Sequence, residues 1–125
     1  MKNGKADLIP LIEDILAMDP KMRFAAIIDL RGNISEAIMK EGKTSLKSQK
    51  EEEHFCRQVA IRRKIRKQFD KSLGPVTYVH IERKKVTQIV LCPKRKTVYV
   101  TMEPDMEIHR KLQIVKLIQN KTRHL

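Results

Sequence analysis

The sequence predicts an α+β sandwich, in which a five-stranded antiparallel sheet lies between helices in the order α-β-β-α-β-β-β-α. Three observations lead to this prediction. Segments with helical apolar spacing begin, divide and end the chain, runs rich in β-branched residues come as a pair and then a triplet, and short polar breaks separate those runs. The length of 125 residues suits a single domain over residues 1–125, whose ends, residues 1–6 and 121–125, we expect to be flexible.

A helix and a β-hairpin are predicted in the first third of the chain. Residues 8–18 have a broad apolar helical face, and Pro20 ends this helix because the residue before a proline avoids the helical region. Residues 24–30 and 34–39 form the two strands. The first strand is apolar on both faces and should lie inside the sheet, whereas the second suits an edge. Asp29 fits an Asp-x-x-Gly turn better than a catalytic acid.

One long helix is predicted over residues 48–74, and it carries the densest positive charge. Ser48 and Glu51 have the spacing of a capping box, in which each side chain bonds the other residue's backbone amide. Gly74 suits the left-handed conformation that closes a helix.

The apolar residues of this helix form two clusters that are offset around its axis. One consists of Phe55, Cys56, Val59 and Ala60, and the other of Ile61, Ile65 and Phe69. Arg62 and Arg66 lie between the clusters, near the middle of the combined apolar face. Either their aliphatic stems pack while the guanidinium groups reach the rim, or this face is a subunit contact. The candidate residues for a dimer or partner contact are Arg62, Arg66 and Phe69.

Three strands and a last helix complete the sandwich. Residues 76–81, 86–92 and 97–102 predict an antiparallel meander, and the last helix is expected to have Asp105 as its cap and an inner stripe formed by Ile108, Leu112, Val115 and Ile118. If the apolar first strand is central, its natural neighbour is the last strand of the meander. The predicted strand order is 2-1-5-4-3, with the long helix on one face and the terminal helices on the other.

The order of elements over residues 7–120 resembles the Roadblock/LC7 family, which belongs with the profilin-like and longin-like sandwiches. The stretch Phe24-Ala-Ala-Ile-Ile-Asp-Leu-Arg-Gly-Asn-Ile looks like that family's first hairpin, and it is similar to a stretch in a set of small uncharacterised archaeal proteins. The resemblance implies a non-catalytic domain that dimerises through its long helix and adjoining edge strand. It also implies regulation or scaffolding of small GTPases and of motor or signalling complexes.

The chain departs from the usual Roadblock/LC7 pattern in its basic long helix and its net charge of +12. A PAS-like sensor shares the strand order, but it has more and shorter helices in the middle and a ligand cavity in the core. No feature of the sequence indicates such a cavity.

The positive charge gives an alternative function, which is binding to a polyanion such as nucleic acid. Two basic triplets, residues 83–85 and 94–96, flank one strand and therefore lie at opposite ends of the sheet, so only charge along the long helix could join them into a stripe. The third interpretation is that these cations are solvated and protect the sheet edges. The candidate polyanion contacts are Arg57, Arg63, Lys64, Lys67, Arg83, Lys84, Lys85, Lys94, Arg95 and Lys96.

Signatures of enzymes, metal sites and cofactors are poor. His54 and Cys56 are two residues apart, which points their side chains in nearly opposite directions on a helix. Gly42 opens a Gly-Lys-Thr triplet, but a phosphate-binding loop needs a glycine five positions earlier, where Ala37 stands. No apolar run reaches the roughly 20 residues that span a membrane, and both cysteines are expected to be reduced.

The sequence therefore predicts a cytoplasmic, non-catalytic regulatory or scaffolding domain of Roadblock/LC7 type, without a cofactor, that acts as a homodimer through protein–protein contacts. Small-GTPase or signalling complexes are the partner class that the resemblance implies. The alternative is a basic nucleic-acid-binding protein that contacts the phosphate backbone.

Overall fold

The computed structural model describes residues 4–125, and its centre is one antiparallel sheet of five strands. The strands are β1 Met22–Asp29, β2 Ile34–Met39, β3 Tyr78–Glu82, β4 Thr87–Leu91 and β5 Lys96–Met102. Their order in the sheet is β2-β1-β5-β4-β3, as the sequence predicts. The helices are α1 Gly4–Leu16, α2 Gln49–Arg66, a 3₁₀ turn Lys67–Phe69, α3 Asp70–Leu73 and α4 Ile108–Lys121.

Two apolar layers cover the two faces of this sheet. On one face α1 and α4 pack against inward side chains of β1, β4 and β5, such as Ile27, Ile89 and Val100. On the other face α2 contributes Cys56 and Val59 to a smaller cluster. The predicted α+β sandwich, with the long helix opposite the terminal helices, is thus confirmed, and β1 is buried on both faces as its continuous apolar sequence requires.

The hairpin turn between β1 and β2 brings the sheet into contact with α2. Asp29 caps the turn, because its Oδ1 accepts hydrogen bonds from the backbone amides of Arg31 and Asn33, both at 2.9 Å. Gly32 has a φ of +94°, and a Cβ at this position would lie 2.6 Å from the Cα of Arg57 in α2. Only glycine combines this conformation with so close an approach.

The predicted capping box at the start of α2 is present. The amide of Glu51 donates to Ser48 Oγ at 3.2 Å, and the amide of Ser48 donates to Glu51 Oε1 at 3.1 Å. The far end differs from the single helix expected up to residue 74, because it tightens into a 3₁₀ turn before α3. Residues 67–73 bury no side chain, so nothing holds this end to the sheet, and a 3₁₀ turn is common at such ends. Gly74 has a positive φ of +81°, but its ψ of 160° is extended, so it does not adopt the predicted left-handed helical conformation.

The last helix is rotated and shifted relative to its prediction. The cap of α4 is Glu107, whose side chain accepts from the amide of Arg110, whereas Asp105 pairs with Lys21 at 3.3 Å. The inner stripe consists of Lys111, Ile114, Val115 and Ile118, so the predictions of Ile108 and Leu112 as inward residues are wrong. Lys111 can lie on this stripe because its Nζ donates to Glu82 Oε1 at 2.9 Å and to the carbonyl of Pro104 at 3.0 Å.

The C-terminal residues fold back against the end of α4. The Thr122 hydroxyl is buried and donates to the carbonyl of Ile118 at 2.7 Å. The carbonyl of Leu125 accepts from the amide of Arg95 at 2.8 Å. Residues 121–125 are therefore folded against the body of the protein instead of extending from it, while the first three residues of the predicted flexible N-terminus lie outside the described residues.

Candidate interaction surface

An apolar stripe runs along the outer side of the second half of α2 and through α3. Ile61 and Ile65 lie on one side of α2, and Phe69 and Leu73 follow at the same four-residue spacing in the 3₁₀ turn and α3. They are exposed large side chains: Ile61 (57%), Ile65 (53%), Phe69 (57%) and Leu73 (81%). We call these four residues the α2–α3 stripe. The sequence assigned three of them to one cluster, and only the structure shows that this cluster faces away from the sheet.

The stripe continues toward the start of α2 as an uncharged surface. His54, Gln58, Ile61 and Ile65 follow one another at spacings of four, three and four residues, which keeps them on the same side of the helix. The side chains of His54 and Gln58 contact each other at 3.2 Å. The basic side chains of α2 therefore lie on either side of this line and not on it. This holds even for the last turn, which contains Arg63, Lys64 and Arg66.

The predicted contact residues lie on or beside the stripe. Phe69 is a member of it, and Arg62, which follows Ile61, is exposed. Arg66 is half-buried and turns toward a groove next to β4. The apolar face that the sequence predicted is therefore two separate faces. Val59 and its buried neighbours face the sheet, and the α2–α3 stripe faces outward.

One of the predicted polyanion contacts is a structural residue that anchors α2 to the sheet. The guanidinium of Arg63 donates to the carbonyl of Lys96 at 2.6 Å, to Thr97 Oγ1 at 2.8 Å and to the carbonyl of Pro93. All three acceptors belong to the turn before β5 or to β5 itself. Arg63 therefore satisfies backbone groups of the protein, and its donors are used inside the fold.

Five of the remaining polyanion candidates form two groups at opposite ends of the sheet. One group consists of Lys67 and Lys94, which lie with Arg63 and the predicted dimer-contact residue Arg66 around a groove of about 280 Å³. The other group is the turn between β3 and β4, where Arg83 donates to Gln88 Oε1 at 2.7 Å while Lys84 and Lys85 are exposed.

Arg57, Lys64 and Arg95 lie outside these two groups. Arg57, Lys64 and Arg95 are exposed, and the Nζ of Lys96 donates to Ser35 Oγ at 3.1 Å. The acidic first turn of α2 contains Glu51 and Glu52, and Glu52 adjoins the basic group at the turn between β3 and β4. The charges therefore do not make one continuous stripe.

The two cysteines are free thiols. Cys56 is buried on the side of α2 that faces the sheet. Burial raises the pKa of its thiol to about 12, so the thiol stays protonated. Cys92 is half-buried, and burial also raises the pKa of its thiol. Within residues 4–125 no three His, Cys, Asp or Glu side chains meet as a metal-binding group. No helix of that part of the chain is both long and apolar enough to cross a membrane.

The sequence places this fold in a known group of proteins. Residues 11–123 match the profile of DUF6659, a family of unknown function. The chain belongs to the DUF6659 family. Comparison of this DUF6659 member with curated protein sequences finds no match.

Solved structures show the Roadblock/LC7 and profilin-like architecture for this DUF6659 member. The gliding protein MglB of Thermus thermophilus superposes with a TM-score of 0.79 at 10% identity, over 99% of this chain and 92% of MglB. An MglB structure with a tetrameric arrangement gives 0.80 at 9%, over 99% and 91%.

A Roadblock/LC7 domain from Streptomyces avermitilis gives 0.61 at 11%, over 90% and 94% of the two chains. Profilin IA of Acanthamoeba castellanii gives 0.60 at 12%, over 92% and 95%. The predicted Roadblock/LC7 resemblance is thereby confirmed at the level of the fold.

Proposed function

We propose that this protein is a non-catalytic regulatory or scaffolding module that acts through protein–protein contacts, and that two copies associate through the α2–α3 stripe. The observation that carries the proposal is the stripe itself. Four large apolar side chains, from Ile61 to Leu73, stand exposed in one line, whereas a monomeric surface usually scatters such residues singly. The similarity to MglB in a tetrameric arrangement and to a Roadblock/LC7 domain supports a module that works by association.

The charges of α2 favour a second copy of the chain as the occupant. The first turn of α2 exposes Glu51, and toward the other end of the helix Arg62 and Lys64 are exposed. A two-fold axis perpendicular to α2 sets the same surface against itself and makes the two helices antiparallel. Each acidic first turn then lies toward the basic last turn of the other helix. The uncharged line through Gln58, Ile61 and Ile65 keeps like charges away from the centre of the contact.

The mass of the protein in solution tests this proposal. We expect twice the chain mass of 14.6 kDa at micromolar concentration, measured by light scattering after size exclusion. Ile65→Glu places a charge in the middle of the stripe and should give the monomer mass. Leu117→Glu is the matched control, because Leu117 is an exposed leucine of α4 on the other side of the sheet, and this variant should remain dimeric.

Two results would contradict the proposal. One is a monomeric wild-type protein at micromolar concentration, and the other is equal disruption of the dimer by both glutamate variants. Binding to labelled duplex DNA across a salt series gives a separate check. Affinity that falls by orders of magnitude between about 50 and 200 mM salt would instead favour a phosphate-binding protein.

A further inference from the structure

A cavity of about 510 Å³ lies between the sheet and the first half of α2, away from the α2–α3 stripe. Its walls come from parts of the chain that are distant in sequence. Strands β1, β4 and β5 form the floor, Phe55 of α2 and the segment 45–47 form the sides, and the turn between β3 and β4 forms the rim. Cavities of this volume are typical of sites for small organic ligands.

The apolar part of the cavity is aromatic. The chain contains three phenylalanines, two tyrosines and no tryptophan, and three of these five rings meet here. The Tyr99 ring centroid lies 5.9 Å from that of Phe24 and 5.0 Å from that of Phe55. Met39 adds a flexible thioether side chain to the same wall. This lining suits the apolar body of a ligand.

The polar part of the cavity is centred on the hydroxyl of Tyr99, a residue with 0% exposure. Its oxygen accepts hydrogen bonds from Lys47 Nζ at 3.2 Å and from Gln88 Nε2 at 2.9 Å. The orientation of the Gln88 amide is fixed because its Oε1 accepts from Arg83 Nε at 2.7 Å. Both lone pairs of the phenol oxygen are therefore used by donors.

The proton of the Tyr99 hydroxyl then needs an acceptor. Neither of its two partners can supply one, because an ammonium group has no lone pair and the amide presents its NH₂ group. Burial raises the pKa of Tyr99, so the proton is retained at neutral pH. Among residues 4–125 no side chain or carbonyl accepts a hydrogen bond from this hydroxyl. A buried donor without a partner is costly, and an oxygen acceptor in the cavity would satisfy it.

The charge around the cavity favours an anion. Its lining contains five basic residues and one acidic residue: Arg23, Lys47, Arg83, Lys84, Lys85 and Glu52. Lys47 Nζ lies 3.1 Å from Glu52 Oε2 and 4.2 Å above the Phe55 ring, so a fixed ammonium group stands beside the Tyr99 hydroxyl. Within the described part of the chain, Lys84 and Lys85 make no ion pair.

We propose that this cavity binds a small amphipathic oxyanion, such as a carboxylate or phosphate monoester with an apolar body. The anionic head group accepts hydrogen bonds from the Tyr99 hydroxyl and the Lys47 ammonium, and the apolar body packs against Phe24, Phe55 and Met39. The site involves no residue of the α2–α3 stripe, so the proposed ligand binding does not depend on dimer formation.

Titrations of the isotopically labelled full chain, followed by amide NMR shifts, test the proposal. The probes share an eight-carbon chain and differ in the head group: sodium octanoate, octyl phosphate, 1-octanol and octyltrimethylammonium, each below its micelle-forming concentration. We expect saturable shifts at Phe24, Lys47, Phe55 and Tyr99 with the two anions, weaker binding of the alcohol and none of the cation. The tighter of the two anions identifies the preferred head group.

Two variants separate the predicted head-group contact from general charge. Tyr99→Phe keeps the ring and removes the hydroxyl. It should weaken binding of the anions about tenfold or more and binding of octanol, a neutral acceptor, by a smaller factor. Lys47→Met should act in the same direction, and Lys94→Met, at the other end of the sheet, should have no effect. The proposal is overturned if the wild-type protein gives no saturable anion shifts, if the cation binds equally well, or if both Tyr99→Phe and Lys47→Met bind octanoate and octyl phosphate as the wild type does.

Discussion

The two faces of the sheet are covered to different degrees. On the α1 and α4 side, two helices bury a large aliphatic layer that includes Ile12, Ile114 and Ile118, each with no exposed surface. On the α2 side, one helix contributes a short buried segment, Cys56, Val59 and Ala60, and then leaves the sheet. One face is thus a closed core, whereas the other face is only partly covered.

Both proposed sites lie on the partly covered face. The cavity adjoins the first half of α2, and the α2–α3 stripe occupies the outer side of its second half. A helix that packs along only part of its length leaves apolar surface and aromatic side chains without partners from its own chain. The comparison indicates that the α1 and α4 side provides stability and the α2 side is free to bind.

The largest difference between the faces should appear on truncating one isoleucine on each. Ile118→Ala empties a fully buried position of α4 and should lower the free energy of unfolding by about 2–5 kcal/mol. Ile65→Ala, on the exposed α2–α3 stripe, should change it by no more than about 0.5 kcal/mol. Urea unfolding at concentrations where both variants are monomeric measures these values. Equal losses would show that the two faces do not differ in this way.

The contact between α2 and the hairpin turn can be isolated with two glycine substitutions. Gly32 and Gly74 both have positive φ, but an added Cβ meets α2 only at Gly32. Gly74→Ala should cost about 1–3 kcal/mol for the backbone conformation alone, because a φ of +81° with a ψ of 160° is essentially restricted to glycine. Gly32→Ala should cost a further ~1–3 kcal/mol, because α2 must shift to make room. The same loss in both variants, measured by thermal or urea unfolding, would mean that α2 is not held closely at the turn.

Removal of the capping box should affect the α2 side alone. Ser48→Ala loses the acceptor for the Glu51 amide and should cost about 1 kcal/mol. Amide hydrogen exchange should become faster in the first turns of α2 and stay unchanged in α4. Faster exchange in both helices would show that the two layers unfold together.

The smallest effect is expected at the ion pair beside α4. Burial acts to raise the pKa of Glu82, but hydrogen bonds from Thr87, Lys111 and His80 outweigh it and lower the pKa to about 2, against 4.5 ordinarily. The stabilisation from this carboxylate is therefore complete above about pH 4.5 and is lost as the pH falls toward 2. Because the Glu82 side chain is half exposed, solvent screening makes the gain small.

Glu82→Gln tests this pH dependence. The stability gap between the wild-type protein and the variant should be widest at neutral pH and should narrow below about pH 4.5, as followed by urea unfolding at several pH values. Glu107→Gln is a control, since Glu107 caps α4 without pairing with Lys111. A gap that stays constant down to about pH 2 would contradict the lowered pKa of Glu82.

The sequence by itself determined the order of elements, the strand order and the start of α2. Apolar periodicity, turn residues and the capping box each depend on residues that are close in the sequence. The sequence alone is therefore enough to predict the elements that they form. The strand order also followed, because a run that is apolar on both faces, such as residues 24–30, belongs at the centre of a sheet.

Tertiary structure decided which side chains face outward and which serve the fold. The sequence suggests that Arg63 is a free cation. In the structure its guanidinium donates hydrogen bonds to Lys96 and Thr97, which are more than 30 residues away in the chain. Lys111 lies on the inner side of α4, where its Nζ contacts Glu82, a residue 29 positions earlier in the chain. The cavity depends on a hydrogen bond between Lys47 and Tyr99, 52 residues apart. Such contacts depend on how distant segments pack, and local residue patterns do not contain that information.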